Sequence, residues 1–382
     1  MTETSKISYL IHVSSACGGG EKLSLEIARI LSMAGYRVNY VVPDSRTLYH
    51  CMDLFDMHGN YKVIEVKSLR EKLLSLTGKF RRLRRLLIAR KLALYIDGLE
   101  GLKIDTGTDI PLGSIDISYI HYPILLDSKE SRSTMWRLYK WYLKSLQSKV
   151  LGKPTIVLTN STWTAKLIED SYGVNAKVLH PPVDVDYFRY DGTSKENTIV
   201  TISRINLNKR IHLLPKIAKK LEDYEWYLIG STYEYGSSRA LRELEKQIRV
   251  HNASNFHVLT NLKNDELRKL LMRAKFYVHP QYQEHFGISV VEAMSAGAVP
   301  IVYRDGGAWV DVVSDISHEL GYTELDEVPA IIRKLESDHS KMTVLREEAI
   351  KKSLEFRREV FQEKFLRILK ELERVHRVNT DV

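Results

Sequence analysis

Two α/β domains, each built on a doubly wound parallel sheet, are predicted from three observations. At 382 residues the chain is longer than one ordinary hydrophobic core supports. Short apolar runs alternate with segments of helical spacing, the signature of strand-helix-strand units. That alternation starts twice, at Ile7 and again at Thr198, on either side of the proline pair Pro181-Pro182. With 44% hydrophobic and 27% charged residues the composition is that of a globular chain, not a disordered one.

In the first half, Ile7 to Val13 reads as a buried strand, followed by Ser14 to Gly20 as a loop and a helix from Glu21 to Met33. Three consecutive glycines, Gly18, Gly19 and Gly20, permit close backbone approach to a ligand, and the helix after them has an anion-favouring N-terminus. The loop matches neither G-x-G-x-x-G nor a P-loop, and a tight strand-to-helix turn explains it equally. Strands follow at Tyr36 to Val42 and Tyr61 to Val66. Leu69, Leu73, Leu76, Phe80, Leu83 and Leu87 then step by three and four. With Lys79, Arg81, Arg82, Arg84, Arg85, Arg90 and Lys91 they form a basic amphipathic stretch that no acidic residue interrupts between Lys72 and Ile96. Such a stretch is either a core helix with a solvated basic face or a membrane-surface helix. Ile115 to Ile120 is a strand that ends at His121, and the carboxyl end of a parallel strand is where open α/β sheets bind ligands. Arg132 to Val150 mixes five basic residues with Trp136, Tyr139, Trp141 and Tyr142. Thr155 to Thr159 is a strand, Asn160-Ser161 a helix cap, and Lys177 to His180 the last strand of this half.

Pro181 to Thr193 reads as the linker, which sets domains at 1–182 and 183–355 with a terminal helical segment at 356–382. The second half runs strand Thr198 to Ser203, loop Arg204 to Lys209, helix Ile211 to Leu221 and strand Glu225 to Ile229. Helix Arg239 to Val250, strand Phe256 to Val258, helix Asp265 to Met272 and strand Ala274 to Pro280 follow. Arg204 and Lys209 place two cations in a loop after a strand end, suited to a diphosphate or to nothing more than a charged surface.

The densest chemistry lies in Glu284 to Asp311, EHFGISVVEAMSAGAVPIVYRDGGAWVD. Apolar spacing at Ile288, Val291 and Met294 starts a helix just after Gly287, so the backbone around Phe286, Gly287 and Ile288 offers unpaired N–H groups to a phosphate. Glu284 and Glu292 flank that helix start. A carboxylate is repelled by phosphate, so each is better aimed at a vicinal diol, one on a sugar and the other on a ribose: the outline of a nucleotide-sugar site. Two glutamates near a helix start also complement its dipole, and that alternative stays open. A strand at Val299 to Val302 and a second glycine turn, Gly306-Gly307, complete the pattern. Helices at Glu327 to Leu335, Val344 to Leu354 and Phe361 to Val375 close the chain.

This stretch resembles the donor site of the retaining glycosyltransferases of family four, and the resemblance extends over nearly the whole chain. With IHYP at Ile120 to Pro123 and TNSTWTAKLI at Thr159 to Ile168, it is similar within that family to the dolichol-pathway alpha-1,2-mannosyltransferases. The resemblance implies a GT-B fold, two Rossmann-like domains with a cleft between them, and a last helix that crosses back to the first domain. It implies Glu284 on the donor sugar, Glu292 on the ribose, Arg204 and Lys209 on the pyrophosphate, His121 against the donor sugar and Gly18, Gly19 and Gly20 beneath the phosphates. It implies a hexose, mannose from GDP-mannose, passed with retention to a lipid-linked glycan. A UDP-hexose donor with a soluble or glycolipid acceptor is the alternative. No DxD-like pair adjoins these elements, so no metal is expected, and no lysine motif points to pyridoxal phosphate.

The net charge of +9 is uneven. Residues 1–190 hold 27 Lys and Arg against 19 Asp and Glu, and the remainder 30 against 29. A one-sided excess points to what the first half alone touches, expected to be an anionic membrane surface that carries the acceptor. A nucleic-acid binder is the remote alternative, since it leaves the paired glutamates and glycine turns without a purpose. No apolar run reaches the roughly 18–20 residues that span a bilayer, and Met1 to Ser8 lacks a signal-peptide core. Cys17 and Cys51, the only cysteines, suit a reducing compartment. The expected location is therefore cytoplasmic, peripheral to the cytosolic face of a membrane.

Overall fold

The computed structural model describes residues 6–13, 17–67, 81–113, 115–123, 137, 141, 154–232 and 236–380. The chain divides into two compact units: Met1–Asn160, Thr164–Leu179 and Gln362–Val382 form unit 1, and Ser161–Trp163 with His180–Phe361 form unit 2.

Unit 1 contains β1 (Lys6–Ile11), α1 (Gly19–Met33), β2 (Tyr36–Val42), α2 (Ser45–Phe55), β3 (Lys62–Glu65), α3 (Arg81–Ile96), β4 (Leu102–Asp105), β5 (Ile117–Ile120), β6 (Ile156–Thr159), α4 (Thr162–Tyr172, from Thr164 onward in this unit) and β7 (Lys177–Val178). Its sheet has the order β3-β2-β1-β4-β5-β6-β7, and every pairing is parallel. The chain runs outward from β1 to β3 and then returns to β4 on the other side of β1. The carboxyl ends of β1 and β4 are therefore this sheet's switch point, where loops diverge and leave room for a ligand.

The glycines start a helix more than they form a loop. Gly18 is the N-cap of α1, and Gly19 and Gly20 lie in its first turn. The Glu21 carboxylate turns back to accept the Gly18 N–H at 3.0 Å. The α1 terminus thus has its own anion, which reduces the positive potential that the three glycines alone suggest.

Cys17, just before that cap, is disulfide-bonded to buried Cys51 of α2, with Cα atoms 5.2 Å apart. The cysteines read as suiting a reducing compartment are thus joined in the fold. Closing a 34-residue separation corresponds to about 3–4 kcal/mol in the chain-entropy account. Unfolding followed with and without dithiothreitol is expected to show unit 1 losing several degrees of Tm in the reductant. An unchanged Tm would mean that the bond is absent in solution or contributes nothing.

The buried face of α3 also differs from the expected stripe. Leu86, Ile88, Ala89, Leu92 and Ile96 enter the core, whereas Leu87 is only half-buried. Leu69, Leu73, Leu76, Lys79 and Phe80 lie outside the described residues, as does Arg132 to Val150 apart from exposed Arg137 and Trp141. Arg85 is only partly exposed. Its guanidinium pairs with Asp109 at 2.5 Å and donates to the carbonyls of Gly107 and Thr108. Arg84 and Arg90 are exposed.

Unit 2 contains β8 (Glu196–Ile202), α5 (Leu214–Ala218), β9 (Glu225–Gly230), α6 (Ser237–His251), β10 (Phe256–Thr260), α7 (Asn264–Arg273), β11 (Ala274–Val278), α8 (Ile288–Ser295), β12 (Val299–Tyr303), β13 (Gly321–Tyr322), α9 (Val328–Glu336) and α10 (His339–Ser353). The sheet order is β10-β9-β8-β11-β12-β13, again all parallel, which puts the switch point between β8 and β11. Trp226, Tyr224, Phe276 and Tyr277 are fully buried at its centre. The expected helix from Ile211 to Leu221 is broken into a 3₁₀ turn, Ile211–Leu213, and the short α5. Pro215 cannot donate to the carbonyl of Ile211, so the α pattern restarts with proline in the first turn.

Lys195 fixes two helix ends at once. Its ammonium donates to the carbonyls of Met272 in α7 (2.8 Å) and Ala296 after α8 (2.6 Å), a favourable cation at two negative dipole ends. Burial pushes its pKa down to about 7. The consequence for the site is that the C-terminal end of α8 is held while its N-terminus faces the switch-point loops.

The last helix, α11 (Arg358–Thr380), starts in unit 2, and its residues from Gln362 onward belong to unit 1. Within unit 1 it buries Phe365, Leu369 and Leu372. Glu373 accepts from Lys6 at 2.7 Å and from Tyr36 at 3.0 Å, and Glu371 from Lys177 at 2.7 Å.

Candidate functional site

In unit 2 the chain leaves β8 at Ile202 and crosses the switch point through residues 203–210. Exposed Arg204 stands two residues past the strand. Asn206 then accepts the Asn208 N–H at 3.0 Å and starts a 3₁₀ turn, Leu207–Lys209. Arg210 leaves that turn with φ of 59° and lays its guanidinium over the Tyr282 ring, 3.2 Å from the centroid. The turn aims Lys209 inward, and its Nζ lies 3.4 Å from Glu284 Oε2.

Glu284 comes from the loop after β11. Gly306 and Gly307 explain why that loop can lie so close to the end of β12: residues Glu284 and Gly306 form a parallel bridge. A Cβ at Gly306, which has φ of +96°, would sit 2.6 Å from the Glu284 carbonyl oxygen, and one at Gly307 would collide with the His285 carbonyl. Only glycine fits at these positions. Gly287, at φ of +90°, then turns the chain into α8. The Phe286 side chain is buried against His180 and Phe356, so only its backbone is available for a ligand. Glu292 lies about one turn inside α8 and is half-buried.

The Glu284 carboxylate is held by three groups. Oε2 faces Lys209 Nζ and, at 3.1 Å, His279 Nε2. Oε1 accepts the His285 N–H at 3.2 Å. Burial works to raise its pKa, but Lys209 and His279 outweigh that and hold the carboxyl well below its ordinary 4.5. It is an anion at any physiological pH, with no proton to give. Behind it, His279 Nδ1 is 3.3 Å from Tyr277 Oη, and Tyr277 Oη is 2.8 Å from Ser289 Oγ of α8. The sequence reading missed His279. The signal was present: it is the first residue past a parallel strand at its carboxyl end, the argument that singled out His121.

In unit 1 the same rule collects a second polar group. His12, past β1, is 3.1 Å from Thr106 Oγ1, past β4. His121, past β5, receives its backbone position from Asp109, which accepts the His121 N–H at 2.8 Å. The ring is 3.0 Å from the Thr106 carbonyl through Nε2; a carbonyl only accepts, so Nε2 carries the proton. Burial lowers the His121 pKa below its ordinary 6.5, partly countered by Asp109, which keeps the imidazole neutral at pH 7. A Cβ on Gly20 would be 3.4 Å from that ring, so the glycine start of α1 and His121 are neighbours. Unit 1 thus groups Gly18, Gly19, Gly20 and His121, and unit 2 groups Lys209, Glu284 and the α8 terminus.

Comparison with known proteins shows which family model covers the unit 2 group. Residues 186–352 match the family model of Glycosyl transferases group 1. This stretch is a group 1 glycosyl transferase domain. The glycosyl transferase domain contains Arg204, Lys209, Glu284, the α8 start and Glu292. Over a longer span, the chain is 26% identical to the GDP-Man:Man(3)GlcNAc(2)-PP-Dol alpha-1,2-mannosyltransferase of Dictyostelium discoideum across 304 residues, 68% of this chain and 60% of that protein. The Mus musculus protein of the same description is 26% identical over 239 residues, 53% of this chain and 48% of that one. The matched region thus spans roughly half the length of these relatives. Among solved structures, Anabaena Alr3699/HepE in complex with UDP superposes with a TM-score of 0.70 at 17% identity, covering 96% of this chain and all of that one. WaaG, a glycosyltransferase involved in lipopolysaccharide biosynthesis, gives 0.67 at 15% identity, covering 95% and 99%. The fold is that of the GT-B glycosyltransferases, two Rossmann-like domains.

Proposed function

We propose that this chain is a retaining hexosyltransferase that moves mannose from GDP-mannose to a lipid-linked glycan. The observation that carries the reaction class is the ionised Glu284, fixed by Lys209 and His279 beside the start of α8. The donor and acceptor rest on the similarity to the alpha-1,2-mannosyltransferases named above. In the proposed reaction the bond between the anomeric carbon and the β-phosphate oxygen breaks, and the acceptor hydroxyl forms its bond to that carbon on the same face. The acceptor proton passes to the leaving phosphate. Negative charge grows on the diphosphate and positive charge on the sugar ring. Arg204, Lys209 and the backbone N–H groups of Gly287 and Ile288 answer the first, and Glu284, which orients the sugar hydroxyls, lies on the side of the second. Glu292 takes the ribose, and His121 with the glycine start of α1 is the ligand-facing group of unit 1.

Calorimetry with GDP and UDP tests the donor. Binding of GDP in the micromolar range with no UDP binding is expected, together with GDP-mannose turnover that persists in a chelator, because side-chain cations and a helix terminus neutralise the leaving group. UDP binding without GDP binding would replace mannose by a UDP-hexose reading.

The acceptor implies a membrane surface, and peripheral binding to the cytosolic face is part of the proposal. Among the described residues no helix is long and apolar enough to cross a membrane. Support comes from α3, where exposed Arg84 and Arg90 share a helix with exposed Leu94 and Tyr95. Each such cation contributes about 1 kcal/mol near an anionic surface. Flotation with anionic vesicles is expected to show binding that high salt reverses and that Arg84→Glu with Arg90→Glu weakens at least tenfold. Arg85 is left out, because a glutamate there would face buried Asp109 and unfold the unit instead. No flotation of the wild type at low salt would favour a soluble acceptor.

A further inference from the structure

We propose that His279 is a positioning residue for Glu284, the group that keeps this carboxylate oriented when Lys209 turns to the leaving diphosphate. The inference rests on the reading of Glu284 and Lys209 given above. It begins with a conflict. Lys209 pairs with Glu284 Oε2 at 3.4 Å, yet the same ammonium is assigned to the phosphates. A lysine on a four-carbon stem can make that move readily. A carboxylate that loses its main cation in a buried site would then be free to rotate or to take up a proton.

His279 cannot move in this way. Its backbone N–H donates to the Ile301 carbonyl at 2.9 Å, and its own carbonyl accepts from Tyr322 Oη at 2.8 Å. The residue is buried, and its ring lies nearly parallel to that of Tyr277, with an interplanar angle of 20°. The ionised Glu284 carboxylate only accepts, so His279 Nε2–H donates to Oε2 (3.1 Å). Its Nδ1 lies 3.3 Å from Tyr277 Oη, a hydroxyl that also donates to the Ile202 carbonyl at 3.3 Å and lies 2.8 Å from Ser289 Oγ. Ser289 is in the first turn of α8, so the phosphate-facing terminus and the sugar-facing carboxylate are set by one hydrogen-bonded relay. Of the four lone-pair positions on the carboxylate, His279, Lys209 and the His285 N–H occupy three. The last lies on Oε1, where a sugar hydroxyl can donate.

The test compares His279→Leu, His279→Gln and Tyr277→Phe with wild type. His279→Leu is expected to lower kcat for GDP-mannose by about 10²-fold while the Kd for GDP stays within about threefold. His279→Gln, which keeps an N–H near the place of Nε2, is expected to recover at least tenfold of that loss, and Tyr277→Phe to fall between them. Side-chain NMR of Glu284 supplies a readout that does not depend on turnover: its titration is expected to move up towards the ordinary carboxylate range in His279→Leu and to return in His279→Gln. Turnover of His279→Leu within threefold of wild type, or no difference between folded leucine and glutamine variants, would overturn the proposal. Should the leucine variant fail to fold, the same criteria apply to the glutamine and Tyr277→Phe proteins. If wild type turns over no sugar nucleotide, the functional reading fails, and an unmoved Glu284 titration would be needed to sink the positioning role as well.

Discussion

Glu284→Gln is expected to abolish transfer, lowering kcat/KM by at least 10³-fold, with a Tm within a few degrees of wild type. The side chain keeps its shape and one acceptor oxygen, which can stay on His279; the amide NH2 then faces the His285 N–H, and that one hydrogen bond is lost. What disappears is the negative charge against a sugar ring that becomes positive in the transition state. The cost in stability is the lost attraction to Lys209, a pair in which both side chains are about one-fifth exposed. It should therefore be nearer 1 kcal/mol than the 3–5 of a fully buried pair. Acid should act in the same direction. The folded pKa lies below the ordinary 4.5, so the stability that this carboxylate contributes is complete above 4.5 and is lost as pH falls through the folded value. An acid limb of activity above pH 5 would thus belong to another group. Turnover near wild type in the glutamine variant would remove Glu284 from the reaction.

The second large effect is expected at the cationic loop. Lys209→Ala should lower kcat/KM by about 10²-fold or more, and Arg204→Ala by about 10²-fold, if each meets charge that develops on the leaving diphosphate. The two should not be equal. Arg204 is exposed beyond β8, whereas Lys209 also touches Glu284; its removal takes away the largest force that holds that carboxyl ionised. Lys209→Ala should accordingly weaken GDP binding and raise the pKa of Glu284, and Arg204→Ala should do only the first. Steady-state kinetics with GDP calorimetry separates these outcomes. Losses under about threefold for both variants would make the loop a charged surface and nothing more.

These expectations show which parts of the molecule are written locally. Strand β2 appears where its run of Tyr36 to Val42 places it, because alternating turns and apolar runs report backbone periodicity directly. The start of α8 at Gly287 and the need for Gly306-Gly307 are legible for the same reason: a positive φ or a close backbone contact admits glycine and little else. The two glutamates around the α8 start are read from spacing alone. Other features needed a partner distant in the chain. Helical spacing placed Arg85 on a basic helix but not against Asp109, 24 residues away. The Cys17–Cys51 bond joins residues 34 apart.

The charge state of the site belongs to this second class. Lys209 and Glu284 are 75 residues apart, and they meet because β11 returns to pair with β8 after the chain has gone outward to β10. Strand order is set by which sheet edge a returning strand can join and by the crossover's hand, and no local pattern encodes it. The sequence by itself determined the two parallel α/β sheets, the glycine turns and the pair of glutamates, since each depends on neighbours a few residues away. The tertiary structure alone decided that Glu284 is ionised, that His279 stands behind it and that Arg85 faces inward. Those facts depend on burial and on charges brought together across the sheet.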